Sequence, residues 1–136
     1  MTDKTEKLLY IAGPFDHADK LHGVEQNILN ASRIALEAWE AGWVAVCPHK
    51  NTEGFQHVTH DVPTRDRWYR GDLAILYRCD GILLLPGWEE IPGSASECLY
   101  AIKNKIPVYD YKKRGMPNPA DHPCHIEIRR VRGGPP

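Results

Sequence analysis

The sequence predicts an α/β fold in which short parallel strands, covered on both faces, alternate with amphipathic helices. Three observations carry this. Four short apolar runs, at residues 7–12, 43–47, 81–85 and 106–110, are spaced along the chain, and the first three stop at Gly13-Pro14, Pro48 and Pro86-Gly87, residues that end strands and open turns. The stretches between the runs show helical rather than two-residue periodicity. The run Gly81 to Leu85 is continuously aliphatic, as in a strand buried on both sides.

Taken in order, Lys7 to Ala12 reads as the first strand. Ile28, Ala31, Ile34, Ala35, Ala38 and Trp39 then recur at helical spacing within residues 24–41, and Gly42 stands where a C-terminal cap belongs. Trp43 to Cys47 is the second strand. Asn51 to Thr64 is polar and contains Gly54 and Pro63, so it reads as a loop before a helix over 65–78 with Trp68, Leu73, Ile75 and Leu76. Gly81 to Leu85 forms the third strand. A helix from about Ser94 to Asn104 would place Ala95, Leu99 and Ile102 on one face, and Ile106 to Asp110 gives the fourth strand.

Parallel neighbours need crossover connections, and the helices supply them. The expectation is a small doubly wound, flavodoxin- or Rossmann-like sheet with helices on both faces. After Tyr111 the chain turns basic and Pro-rich, and Cys124 to Val131, with Ile126 and Ile128 alternating, reads as a C-terminal edge strand or a subunit contact.

At 136 residues and 15.4 kDa the chain is the size of one domain, with a core over about 7–111 and an extension at 112–136. No apolar run approaches the roughly 18 residues of a membrane span. Thr2 to Lys7 mixes acids and bases without an apolar signal core, so a cytoplasmic location is expected. Seventeen Lys and Arg against eighteen Asp and Glu leave a net charge of −1, which disfavours a nucleic-acid polymer as substrate. Cys47, Cys79, Cys98 and Cys124 form no Cys-x-x-Cys pair and read as structural thiols. His57, His60 and Asp61 lack the i, i+4 spacing of a helical metal pair, so neither metal nor organic cofactor is expected.

In such a sheet the ligand crevice lies beyond the carboxyl ends of the strands. Gly13-Pro14-Phe15 has one glycine where a dinucleotide fingerprint needs three. That excludes the pyrophosphate-binding reading and leaves Gly13 either in a tight turn or beside a ligand. The loop Pro86-Gly87-Trp88-Glu89-Glu90-Ile91-Pro92-Gly93-Ser94-Ala95-Ser96-Glu97 places small residues, an aromatic and three acids at a helix start. Near that start the helix dipole would favour an ionised Glu97. On spacing alone, Ser94-x-x-Glu97 is more simply a capping box.

Tyr10-Ile11-Ala12-Gly13-Pro14, Gly71-Asp72-Leu73, Cys79-Asp80-Gly81 and Pro86-Gly87-Trp88 to Glu97, in this order across residues 8 to 110, resemble the nucleoside 2-deoxyribosyltransferase superfamily. The likeness is strongest to small members with a Pro-Gly-Trp-Glu loop and extends to the nucleotide N-glycosidases, including deoxynucleoside monophosphate and cytidylate hydrolases. It implies cleavage or exchange of the base of a nucleoside or nucleoside 5′-monophosphate, through a glycosyl ester on Glu97, with hydrolysis favoured. Tyr10 would hold the nucleophile, and Asp72 would contact the sugar or assist departure of the base.

The departure from the superfamily is Ile91, where the phosphate-using members carry a serine. Gly93, Ser94, Ser96 and the helix amides are the remaining candidates for cradling an anion. Trp88 is a candidate to stack on a base or to cover the sheet end; His49 and Lys50 are candidates for base or phosphate contacts, and Asp80 reads as structural. The resemblance also implies a homo-oligomer. Two rivals remain: a non-catalytic nucleotide-binding sensor on the same scaffold, and an interaction protein recruiting a partner through its basic C-terminal part.

Overall fold

The computed structural model describes residues 6–14, 23–48 and 65–121. Strands β1 (Leu8–Ala12), β2 (Val44–Val46), β3 (Gly81–Leu84) and β4 (Val108–Asp110) form one sheet in the order β2-β1-β3-β4. All three pairings are parallel, with Tyr10 opposite both Val46 and Ile82, and Leu84 opposite Asp110. Helix α1 (Gly23–Ala41) joins β1 to β2, α2 (Arg65–Tyr77) precedes β3, and α3 (Pro92–Lys103) joins β3 to β4. A short helix, α4 (Tyr111–Arg114), follows β4 directly. The doubly wound α/β expectation holds; the expected edge strand at 124–131 lies outside the described residues.

The two-residue period of the strands divides the core between the two faces of the sheet. Leu9, Ile11 and Leu83 point to the α1 side and pack with Ala31, Ala38 and Trp43. Tyr10, Ala12, Ile82 and Leu84 point to the other side, against Leu76 of α2 and Cys98 and Ala101 of α3. Each inner strand is therefore apolar on both faces, which is why its sequence shows no alternation.

Helix α1 ends as its glycine predicts. Gly42 has φ +107°, its N–H donates to the Trp39 carbonyl (3.1 Å), and the Trp43 N–H reaches back to Ala38 (3.0 Å), the paired bonds of a Schellman ending. Trp43 is buried just before β2, with its indole N–H donating to the Pro117 carbonyl at 2.8 Å. The chain after β4 thus folds back against the amino-terminal part of the sheet.

Asp80 has a structural position. Its buried carboxylate accepts the Leu8 N–H at 2.7 Å, and its own N–H donates to the Leu8 carbonyl at 2.8 Å. The starts of β1 and β3 are thereby tied together.

One helix face differs from the expectation. In α3, Leu99 and Ile102 point outward, 68% and 60% exposed, while Ser94, Glu97, Cys98 and Ala101 are buried. Trp39 of α1 is likewise exposed. Hydropathy favours the larger aliphatic side chains as core, but α3 lies close to the sheet, where small side chains and one acid fit. That inversion takes Glu97 inside.

Candidate active site

Tyr10 lies in the middle of β1 with its ring wholly buried on the α2/α3 side of the sheet. Its hydroxyl donates to Oε2 of Glu97, which reaches it from α3 and is itself only 6% exposed. Asp72, half-buried on α2, is close enough for its charge to act on both Tyr10 and Glu97. The three residues that the resemblance singles out, drawn from three elements, therefore form one cluster.

The electrostatics of Glu97 run opposite to expectation. Burial pushes its carboxyl up, the Tyr10 hydrogen bond partly opposes this and the Asp72 charge adds to it, for a net value of about 7. The helix dipole does not dominate, because α3 starts at Pro92 rather than near Ser94, which places Glu97 in the second turn and facing the sheet. Proline at the first helical position needs no N–H partner. Ile91 is the N-cap and supplies no side-chain bond, so Ser94 sits inside the helix and the capping box is absent. Asp72 is raised by burial to about 6. Burial and the adjacent Glu97 push the Tyr10 hydroxyl far above the ordinary phenol range, so it stays a proton donor.

Two loops frame this cluster. The Leu85 N–H donates to the Ala12 carbonyl at 2.8 Å, and a Cβ on Gly13 would stand 2.6 Å from that of Leu85. Gly13 is thus required by close packing of the loops after β1 and β3. Gly87, at φ +90°, turns the chain into a single 3-10 turn at Trp88–Glu90. The Trp88 ring packs on the core of the Glu97 side, and its indole N–H donates to Oδ2 of Asp110 at 3.2 Å. Trp88 therefore covers the end of the sheet. Asp110 also caps α4 by accepting the Lys113 N–H at 3.2 Å.

Comparison with known proteins agrees with this frame. Residues 7–110, which end with β4, match the model of a domain of unknown function, DUF4406. The chain belongs to the DUF4406 family. No curated protein matches it. Among solved structures, the DUF4406 chain is similar to a 2-deoxyribosyltransferase from Bacillus psychrosaccharolyticus, with TM-score 0.54 and 17% identity over 76% of this chain and 70% of that one. A 2-deoxyribosyltransferase from Leishmania mexicana matches with TM-score 0.49 and 17% identity, over 81% and 72% of the two chains. The fold of this DUF4406 domain is that of a 2-deoxyribosyltransferase, as the resemblance implies.

Of the candidate binding residues in the DUF4406 domain, Gly13, Pro14 and Trp88 lie at the carboxyl ends of β1 and β3. Gly93 opens α3 with nothing within 4 Å of where a Cβ would stand, whereas Ser94 is buried. Phe15, His49 and Lys50 lie outside the described residues, as do His57, His60 and Asp61. Among the described residues, no three His, Cys, Asp or Glu side chains are grouped to hold a metal, and no helix is long and apolar enough to cross a membrane. Sequence reasoning missed Asp110 as a site-framing residue. Its signal was available: an acid at the carboxyl end of a strand in an open parallel sheet.

Proposed function

We propose that this DUF4406 domain cleaves the N-glycosidic bond of a nucleoside or nucleoside 5′-monophosphate, hydrolysis being the favoured outcome and transfer to a second base the other. The observation that carries this reading is the buried Tyr10–Glu97 hydrogen bond with the Asp72 carboxyl beside it. A carboxylate withdrawn from water, held by one phenol and paired with a second acid, can act as a nucleophile toward a cationic carbon.

In the first step Oε1 of Glu97, the oxygen not held by Tyr10, attacks C1′ of the sugar. The C1′–N bond breaks, and its electron pair leaves with the base, which takes a proton from protonated Asp72. The Tyr10 hydroxyl keeps Glu97 oriented and offsets its negative charge. In the second step a water molecule gives its proton to the Asp72 carboxylate while its oxygen bonds to C1′ and the C1′–Oε1 bond breaks, its electron pair returning to Glu97, so that the sugar leaves with Glu97 ionised and Asp72 protonated as at the start. Two neighbouring carboxyls raised to about 6 and 7 hold one proton between them near neutrality, and the reactive form is the one with the proton on Asp72 and the charge on Glu97. Access of water against retention of a second base decides between hydrolysis and transfer.

The test is a panel of nucleosides and their 5′-monophosphates, scored by chromatography for liberated base with and without an excess of a second free base. Base release lost in Glu97→Ala supports the reading. Turnover within a few fold of wild type in that variant refutes it. Tight nucleotide binding with no base released over hours favours the sensor. The expected homo-oligomer belongs to the same reading; the outward Leu99 and Ile102 support it, and light scattering tests it.

A further inference from the structure

A cleft opens at the carboxyl ends of the strands, on the α1 side of the sheet and thus across it from Glu97. It encloses about 300 Å³ between Pro14 and Pro86 of the two touching loops, Asn27, Arg33 and Glu37 of α1, and Tyr111 after β4. That volume is at the small end of the roughly 300–1,000 Å³ range of ligand sites, so the cleft fits one small molecule. It also lies where open parallel sheets take their ligands, beside the point at which β1 and β3 send their connections in opposite directions.

The wall chemistry narrows the class. Arg33 is exposed and engages no carboxylate among the described residues. Glu37, one turn further along α1, instead accepts the Tyr111 hydroxyl through Oε1 at 2.5 Å. The Asn27 side-chain N–H₂, in the same wall, is buried and meets no acceptor among the described residues. A free guanidinium and an unmet amide donor call for an anion, and the planar guanidinium matches a phosphate. Glu37 would repel a bare anion, yet its remaining oxygen can accept hydroxyl protons. The two prolines offer apolar contact for a ring. Phosphate, hydroxyls and a small ring together describe a phosphorylated sugar.

We propose that this cleft binds a pentose 5-phosphate, free or as part of a nucleoside 5′-monophosphate, with Arg33 on the phosphate and Glu37 on the sugar hydroxyls. The site does not require the Glu97 chemistry. It would nonetheless suit that chemistry, since hydrolysis of a nucleoside monophosphate releases a pentose 5-phosphate.

The test is titration calorimetry with ribose 5-phosphate, ribose, inorganic phosphate and a panel of nucleoside 5′-monophosphates. The proteins are wild type, Arg33→Gln and Glu37→Gln, with the nucleotide series repeated in a Glu97→Gln background so that no nucleotide is consumed. Ribose 5-phosphate is expected to bind at least about tenfold tighter than ribose or inorganic phosphate. Arg33→Gln should lose at least about tenfold of that affinity, or about 1.4 kcal/mol, and Glu37→Gln should weaken ribose 5-phosphate without weakening inorganic phosphate. Because Arg33 is exposed, its variant should melt with wild type.

If Arg33→Gln weakens the nucleotides by the same factor, the cleft reads the sugar phosphate within a nucleotide. If only ribose 5-phosphate is weakened, the cleft takes the free sugar phosphate. Either result supports the proposal. No binding of ribose 5-phosphate, equal affinity for inorganic phosphate, or indifference to Arg33→Gln overturns it. Base release is scored separately, so failure of the glycosidic reading and failure of this one are distinct results.

Discussion

Tyr10→Phe tests the proposed site by removing one oxygen atom from a fully buried ring. The lost contact is the hydroxyl donated to Oε2 of Glu97, a bond that holds the Glu97 carboxyl below where burial and Asp72 would otherwise put it. A hydrogen bond to a charged group is worth about 1.5–3 kcal/mol, which at 1.36 kcal/mol per pKa unit equals about 1–2 units. Glu97 would move from about 7 to roughly 8–9 on that scale. At pH 7 its ionised fraction would fall from about one half to about 1–10%. A nucleophile must be ionised, so base release at pH 7 should drop about 5- to 50-fold. The assay is the pH profile of kcat/KM for base release, in which the limb set by Glu97 should move up by about 1–2 pH units. A slower enzyme with both limbs of the profile unmoved would refute the assigned role, because Tyr10 would then act on something other than the charge of Glu97.

Asp72→Asn should move the same limb the opposite way, since the Asp72 charge raises Glu97; an upward move in the profile contradicts the coupling. Glu97→Gln should be more stable than wild type at pH 8 in urea unfolding. The folded value of about 7 exceeds the ordinary 4.5, so wild type has its full stability below about pH 4.5 and loses up to about 3 kcal/mol as the pH rises through 7. The advantage of the variant should vanish near pH 4, and an advantage that persists there points to a different cause. Gly13→Ala forces a Cβ to within 2.6 Å of Leu85 and should cost about 1–3 kcal/mol by overpacking, measured as a lowered urea midpoint. Asp80→Ala strips the buried acceptor from the Leu8 N–H and should cost about 1–3 kcal/mol; wild-type stability would remove Asp80 as the tie between β1 and β3.

The strands and the ends of α1 were legible because short-range rules decide them. An apolar run stopped by Gly-Pro or Pro-Gly has few alternatives to a buried strand, and Gly42 supplies the left-handed residue that a helix end needs. The start of α3 was less legible. Pro92 and Ser94 are both good opening residues, and only the observed N-cap at Ile91 shows that Pro92 took the first position. The capping box placed the N-cap three residues too late, at Ser94 instead of Ile91.

By itself, the sequence determined the order of strands and helices, the parallel sheet that such an order requires, and the identities of Tyr10, Asp72 and Glu97 as residues to examine. It did not determine their chemistry. The turning inward of the small and acidic face of α3, with Leu99 and Ile102 left outside, depends on how closely the helix lies on the sheet. The raised carboxyl of Glu97, the Trp88–Asp110 bond and the Arg33 cleft likewise depend on neighbours remote along the chain. Desolvation and charge act through space over a few ångströms, whereas hydropathy and capping act along the chain, so the latter can be read from the sequence and the former only from the packed structure.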